Sequence, residues 1–421
     1  MFDEIFGLSH ELVALDRKIM SRCAETFADI DRVKEYNQLK TLKAFCDNRV
    51  GAQHFAGSTG YGYGDAGRDK LDEVFASLSG AQDALCRAQF MSGTHALTVA
   101  LFGLLRPNDT LLCAMGAPYD TMLGVIGIGG ENSGSLAEFG VKYTQAELLN
   151  GGPDLHAISE KAKNARVVLV QRSRGYSARR ALSCADIEQI TLAVKKSNPK
   201  AIVLVDNCYG EFVEMREPTE CGAELIVGSL IKNAGGAVAQ TGGYIAGKAE
   251  LVELCSYRLT APGTGREIGC NPAGLRELYL GLYLAPGITA EALKSSHYAS
   301  ELFAELGYAV SPSPREMRGD IVTAITLGSA SALEAACGAI QRTSPVDSFA
   351  RPEAWEMPGY DDKVIMAAGA FTGGSSIELS CDAPLRAPYT VYCQGGISLA
   401  ASRLAYLRAA DAVQSRKAEE K

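Results

Sequence analysis

Six short apolar runs, each separated from the next by helical or turn-rich sequence, constrain this chain more than any other feature. They read LCRAQFM (85–91), TLLCAM (110–115), ARVVLVQ (165–171), AIVLVD (201–206), AELIVGS (223–229) and GGYIAG (242–247). Such runs suit strands whose two faces are both covered, because neither alternate set of side chains has to meet water. The rhythm predicts βαβ units and an α/β fold with a mostly parallel central sheet flanked by helices. In such sheets ligands bind beyond the carboxyl ends of the strands, so the residues that follow each run carry the functional interest.

Around this block the pattern changes. Residues 3–46 have helical periodicity broken at Gly7 and Ser9, which predicts two helices within an N-terminal helical segment, 1–50. Residues 51–68 are glycine-rich and irregular, and the following helix stops at Gly80. The large α/β domain is expected over 51–285. Near Pro286 the sequence APGI suggests a boundary, and a smaller α+β domain is expected over 286–421, with strands at SIELSC (376–381) and YTVYCQ (389–394).

The bulk numbers exclude several classes of function. A formal net charge of -8 and a pI near 5.4 argue against nucleic acid and anionic membranes, which both require a basic footprint. The 12 cysteines are scattered without a CxxC, so neither a zinc site nor a disulfide framework is implied. They fit a reduced, cytoplasmic protein. The N-terminus is too acidic for a secretory signal, and no apolar run approaches membrane-spanning length. The five histidines show no metal-ligand spacing. GYGDAG (62–67) matches a dinucleotide fingerprint but lacks the preceding buried strand. GGYIAGKA (242–249) nearly matches a phosphate-binding loop but ends in Ala249, where a hydroxyl must hold magnesium.

The residues after the runs tell a more specific story. SGTHAL, which follows the first run, is a small-residue turn opening a helix, and its free N–H groups offer a seat for phosphate. Tyr119 follows the second run, and Asp206 ends the fully apolar AIVLV. After AELIVGS comes Lys232, in VGSLIKNAGG, three residues beyond Ser229. A lysine brought from a buried strand into a tight turn is expected to lose its proton easily and to act as an amine nucleophile. Individually each residue has a structural explanation, such as a cap or a turn. Together they meet the needs of pyridoxal phosphate: a lysine for its aldehyde, a carboxylate for its ring nitrogen, donors for its phosphate and an aromatic face for its ring.

This order resembles the fold-type I pyridoxal phosphate enzymes, and specifically the lyases of Cys/Met metabolism. VDNCYGEFVE, RPEAWEMPGYD and PYTVYCQGG further resemble the methionine γ-lyase-like proteins often labelled aluminium-resistance proteins. The likeness runs from about residue 30 onward. It implies that Lys232 carries the cofactor, Asp206 partners its ring nitrogen, and Ser229, Gly93 and Thr94 hold its phosphate, with Tyr119 against the ring. It also implies that Tyr61 and Tyr63 reach the neighbouring subunit's site in a homodimer or homotetramer. The better-known lyases bind the substrate carboxylate with an arginine, where this chain has Glu378. Arg386 is the expected substitute, and Arg172 and Arg174 are further candidates for contact with cofactor or substrate. The reaction implied is deprotonation of an amino acid at Cα, followed by β- or γ-elimination of a sulfur substituent. An aminotransferase, an aldolase and a non-catalytic cofactor-binding protein are the rival readings.

Overall fold

The computed structural model describes residues 2–130, 133–177, 179–357 and 362–419. Among them the helices are α1 (Phe2–Phe6), α2 (His10–Asp47), α3 (Ala66–Ser79), α4 (Gly93–Leu104), α5 (Asp120–Ile126), α6 (Leu155–Ala162), α7 (Cys184–Ser197), α8 (Ala249–Leu259), α9 (Arg276–Glu305), α10 (Ala330–Arg342) and α11 (Leu399–Glu419). The strands of the first part are β1 (Asp83–Arg87), β2 (Thr110–Cys113), β3 (Lys142–Gln145), β4 (Leu148–Leu149), β5 (Gly152–Pro153), β6 (Val167–Gln171), β7 (Ile202–Asp206), β8 (Leu225–Ser229) and β9 (Gly243–Gly247). Those of the last part are β10 (Ala309–Ser311), β11 (Val322–Thr326), β12 (Val364–Ala368), β13 (Ser380–Pro384) and β14 (Thr390–Gln394). No helix among the described residues is long and apolar enough to cross a membrane.

Contacts divide the chain into two units, Tyr36–Pro286 and a unit made of Met1–Glu35 with Gly287–Lys421. Both divisions fall inside helices, α2 and α9, rather than in linkers. Neither sequence signal marked this. α2 has no glycine or proline to stop it, and Pro286 lies inside α9 instead of ending a segment. The first 35 residues therefore group with the C-terminal ones, where the sequence suggested a segment of its own to residue 50.

The larger unit holds the sheet, in the order β1-β9-β8-β7-β6-β2-β3. The pairs from β8 through β3 are parallel, and β9 runs antiparallel to both β8 and β1. The sheet is thus mostly parallel, and its apolar runs split by alternation. Val168, Val170, Val203, Val205 and Ile226 pack on one face with Leu71 of α3 and Ile187 and Ile190 of α7. Val167, Leu169, Ile202, Leu204, Leu225 and Val227 pack on the other with residues of α4 and α8. Each such aliphatic side chain stabilises the fold by roughly 1.5–3 kcal/mol, which fixes the strands whose ends carry the site.

The smaller sheet of the other unit has the order β10-β11-β14-β13-β12, with antiparallel pairs. β14 lies where YTVYCQ was expected, but the strand expected at SIELSC begins only at Ser380. Leu379 adopts φ 65°, a left-handed conformation that interrupts an extended chain.

Candidate functional site

Lys232 follows β8 through Leu230 and Ile231 and caps a short 3-10 turn, Asn233–Gly235. The glycines that line this turn are there for lack of room. A Cβ on Gly235 would collide with the Leu230 carbonyl, and one on Gly236, at φ 54°, with the Gly281 carbonyl. The compressed turn leaves the lysine half-buried, with Nζ 4.0 Å from the centroid of the Tyr209 ring. Among the described residues Nζ makes no hydrogen bond or ion pair.

Asp206, the last residue of β7, is 5% exposed and accepts a hydrogen bond from the Cys208 N–H at 3.1 Å. Burial pushes its carboxyl above the usual range, and the Lys232 charge works against that rise. At Lys232 burial acts to strip the proton, but Cys208, Tyr209, Asp206 and Tyr119 around it hold the ammonium well above its ordinary range. This corrects the expectation that depth alone makes Lys232 an easily deprotonated amine. The lysine is surrounded by groups that favour its charge, the Asp206 carboxyl among them.

The phosphate-seat residues meet in the same place. Ser92 caps α4, its Oγ accepting from the His95 N–H at 3.0 Å, so the N–H groups of Gly93 and Thr94 have no intrahelical partner. A Cβ at Gly93 would come 3.3 Å from Cys208 Sγ and 3.4 Å from Ser229 Cβ. Ser229 is 1% exposed, and its Oγ has no partner among the described residues. The Thr94 hydroxyl lies 3.4 Å from the Tyr119 hydroxyl. Burial raises the Tyr119 phenol well above its usual range, which keeps it neutral.

The other expected residues are placed differently. Tyr61 and Tyr63 are exposed, their ring centroids 5.6 Å apart, on a loop pinned by the Gly269 N–H to the Tyr61 carbonyl and by Arg68 to the Gly62 carbonyl. Arg386 belongs to the smaller-sheet unit, where it is exposed and paired with Asp362 at 3.1 Å. Glu378 is buried and accepts from the Phe371 and Thr372 N–H groups at 2.9 and 3.1 Å, so it anchors a loop. Arg174 is buried, and its Nε and Nη2 donate to the Ser177 carbonyl.

Arg172 is fully buried beneath the site. It donates to Asn207 Oδ1 and Glu214 Oε1, both at 2.8 Å, and to the Leu182 carbonyl at 3.3 Å. Burial works against its charge, and the surrounding Cys184, Glu217 and Glu214 more than restore it. Its donors are directed into the interior, where they brace the segments that carry Leu182, Asn207 and Glu214.

Sequence reading missed Cys208, Tyr209, Glu211 and Arg179. Arg179 is buried and ties strand ends together through the carbonyls of Met115, Ser173 and Arg174. Glu211 accepts from the Tyr244 hydroxyl at 2.7 Å, and burial lifts its carboxyl to about 8. The available signal was the string NCYGEF directly after Asp206, too many functional side chains for an ordinary turn. Its backbone is unusual too: Tyr209 and Phe212 have φ 71° and 61°.

The residues fit a pyridoxal phosphate group: a lone lysine, a buried carboxylate within its electrostatic reach, an unpartnered serine hydroxyl and a helix start kept clear by Gly93. No group of three or more metal-ligating side chains exists among the described residues. At 18% identity the structure aligns with the pyridoxal-5'-phosphate dependent protein YhfS from Escherichia coli, with a TM-score of 0.63, over 92% of this chain and 97% of that one. The fold is that of the fold-type I pyridoxal phosphate enzymes.

Within that class the chain belongs to the methionine γ-lyase family, whose sequence model matches residues 12–414. YnbB of Bacillus subtilis, an uncharacterized protein, is 42% identical over 390 residues, 92% of this chain and 93% of that protein. The crystal structure of a carbon-sulfur lyase involved in aluminum resistance from Clostridium novyi NT is 45% identical, with a TM-score of 0.93, over 97% of each chain.

Proposed function

We propose that this protein is a pyridoxal phosphate-dependent lyase that removes a sulfur substituent from an amino acid by β- or γ-elimination. The observation that carries the reading is the juxtaposition of Lys232 and Asp206 at the ends of β8 and β7, beside an unpartnered Ser229 hydroxyl. Family membership and the carbon-sulfur lyase of Clostridium novyi support the sulfur chemistry.

Each residue then has a role. Lys232 would bond the cofactor's aldehyde carbon, and Asp206 would keep a proton on the ring nitrogen. Ser229 Oγ and the N–H groups of Gly93 and Thr94 would hold the phosphate, where the start of α4 favours an anion. Tyr119 would offer its face to the ring. When bound, the cofactor supplies an electron sink for the carbanion left at the substrate Cα. Displaced by the substrate's amino group and neutral, Lys232 would take the Cα proton. Loss of a β-substituent needs no further deprotonation, whereas a γ-substituent requires a second proton to leave Cβ, so Lys232 must reach both carbons. The abstracted proton leaves with the sulfur as a thiol, and the enamine released from the site tautomerises to an imine that water hydrolyses to a keto acid and ammonia.

Arg386 is proposed to clamp the substrate carboxylate after leaving Asp362, with Arg174 the alternative. Arg386→Ala should raise KM for amino acids about ten-fold or more while kcat changes less. Tyr61 and Tyr63 are proposed to complete the site of a second copy, in keeping with their exposure. The reading as a whole is tested by borohydride reduction of the protein loaded with pyridoxal phosphate, followed by peptide mapping, and by a panel of amino acids scored for keto acid, ammonia and thiol. A label on the Lys232 peptide with thiol release is expected. A label on another lysine, or keto acid without ammonia, would overturn it.

A further inference from the structure

Several cations of the large unit are seated in ion pairs. Arg87 is paired with Asp72, Arg172 with Glu214, and Lys195 with Glu224. Lys232 instead has its Nζ over an aromatic face, 4.0 Å from the Tyr209 centroid. We propose that Tyr209 is a positioning residue whose ring face seats the charged head of Lys232 whenever that side chain carries a proton and is not bonded to the cofactor. The inference rests on the reading of Lys232 as the residue that bonds the cofactor and takes the substrate proton.

The backbone around Tyr209 is built to hold the ring there. At φ 71° Tyr209 occupies a left-handed conformation that costs a bulky residue of order 1 kcal/mol or more and glycine nothing. The chain accepts this cost at 209 although a glycine stands next to it, so the side chain is what the position retains. Gly210 has its own reason: a Cβ there would collide with the buried Arg172 side chain. The turn is closed by the Gly210 N–H to the Asn207 carbonyl at 2.9 Å, and Asn207 is held in turn by Arg172 and Glu217. Arg172 thus supports the turn that aims Tyr209 at the lysine.

An aromatic seat suits a lysine that must come and go. A carboxylate in direct contact would lock the ammonium into an ion pair, and a purely apolar wall would expel its charge. The negative face of a ring attracts the cation without offering it a proton acceptor of comparable basicity. The titratable groups that face the lysine are Asp206, Cys208, Tyr209 and Tyr119, with Glu211 farther back. Of these, Asp206 supplies the field, and Tyr209 supplies the contact.

The test reads Lys232 itself, not turnover. Full-length protein prepared without pyridoxal phosphate is pulse-labelled with acetic anhydride across pH, and the Lys232 peptide is followed by mass spectrometry. Tyr209→Phe, which keeps the face, should leave the apparent pKa of Lys232 within a few tenths of wild type. Pentafluorophenylalanine at 209, which keeps the shape and reverses the ring's electrostatics, should lower it by about one unit, as should Tyr209→Leu. An unchanged Lys232 titration with the fluorinated ring would overturn the proposal. So would a fall in Tyr209→Phe as large as in the fluorinated variant, because the hydroxyl would then be the partner. A borohydride label on another lysine would defeat the cofactor assignment but would leave this titration as it stands.

Discussion

Lys232 and Arg172 are two cations within one unit, following β8 and β6 at the same end of one sheet with β7 between them, and they are treated in opposite ways. Arg172 has its guanidinium donors absorbed by Asn207, Glu214 and the Leu182 carbonyl. Lys232 has an aromatic ring, a carboxylate within electrostatic reach and no hydrogen bond among the described residues. Saturation distinguishes scaffold from site. A buried charge with every donor engaged costs several kcal/mol to disturb and can do nothing else. A charge left with spare donors beside an unpartnered Ser229 is held ready for something that arrives later.

The most severe way to break this comparison is Lys232→Ala. Turnover should fall at least about a thousand-fold, while the thermal midpoint stays within a few degrees, because the residue satisfies nothing in the interior. A large loss of stability with residual turnover would show Lys232 to be scaffold. Asp206→Asn should retain cofactor but lower kcat about a hundred-fold, measurable as absorbance of the loaded protein alongside steady-state rates. Normal turnover in this variant would reduce Asp206 to a cap for the Cys208 N–H.

Arg172→Leu provides the opposite test. It leaves Glu214, Glu217 and Asn207 without their buried partner, so urea unfolding should show a loss of about 3–5 kcal/mol. An undiminished unfolding midpoint, with only KM altered, would return Arg172 to the substrate.

The change per pH unit is smaller at Glu211. Its folded pKa of about 8 lies above the ordinary 4.5, so protonation favours the folded state. That stabilisation is complete below about pH 4.5, declines across the interval, and is gone above about 8. Glu211→Gln does not titrate at this position. The stability of the variant relative to wild type should therefore rise by about 1.4 kcal/mol for each pH unit between those limits. A flat difference from pH 5 to 8, read from urea midpoints, would mean the carboxyl is already ionised in the folded protein.

What was legible in the sequence follows the same division. Lys232, Asp206 and Ser229 could be found because each ends or follows a continuous apolar strand, and strand ends in a parallel sheet point to one edge. Gly93 and Thr94 were visible as a small-residue helix start. Tyr209 was not, because a left-handed tyrosine leaves no trace in periodicity and its only marker is the adjacent glycine. The bracing of Arg172 was hidden because Asn207 and Glu214 stand far from it in the chain. The division within α2 was equally hidden, since helical periodicity says which face is buried but not which unit buries it.

Glu378 has a consequence for how substrate recognition can change over evolutionary time. Its carboxylate holds the Phe371 and Thr372 N–H groups. Replacing it with arginine would release that loop and set a cation where two N–H donors already point. A change in the 371–372 loop that gives those N–H groups another acceptor would have to come first. The order of substitution therefore matters at this position: the loop can change and leave Glu378 in place, whereas Glu378 cannot change and leave the loop satisfied.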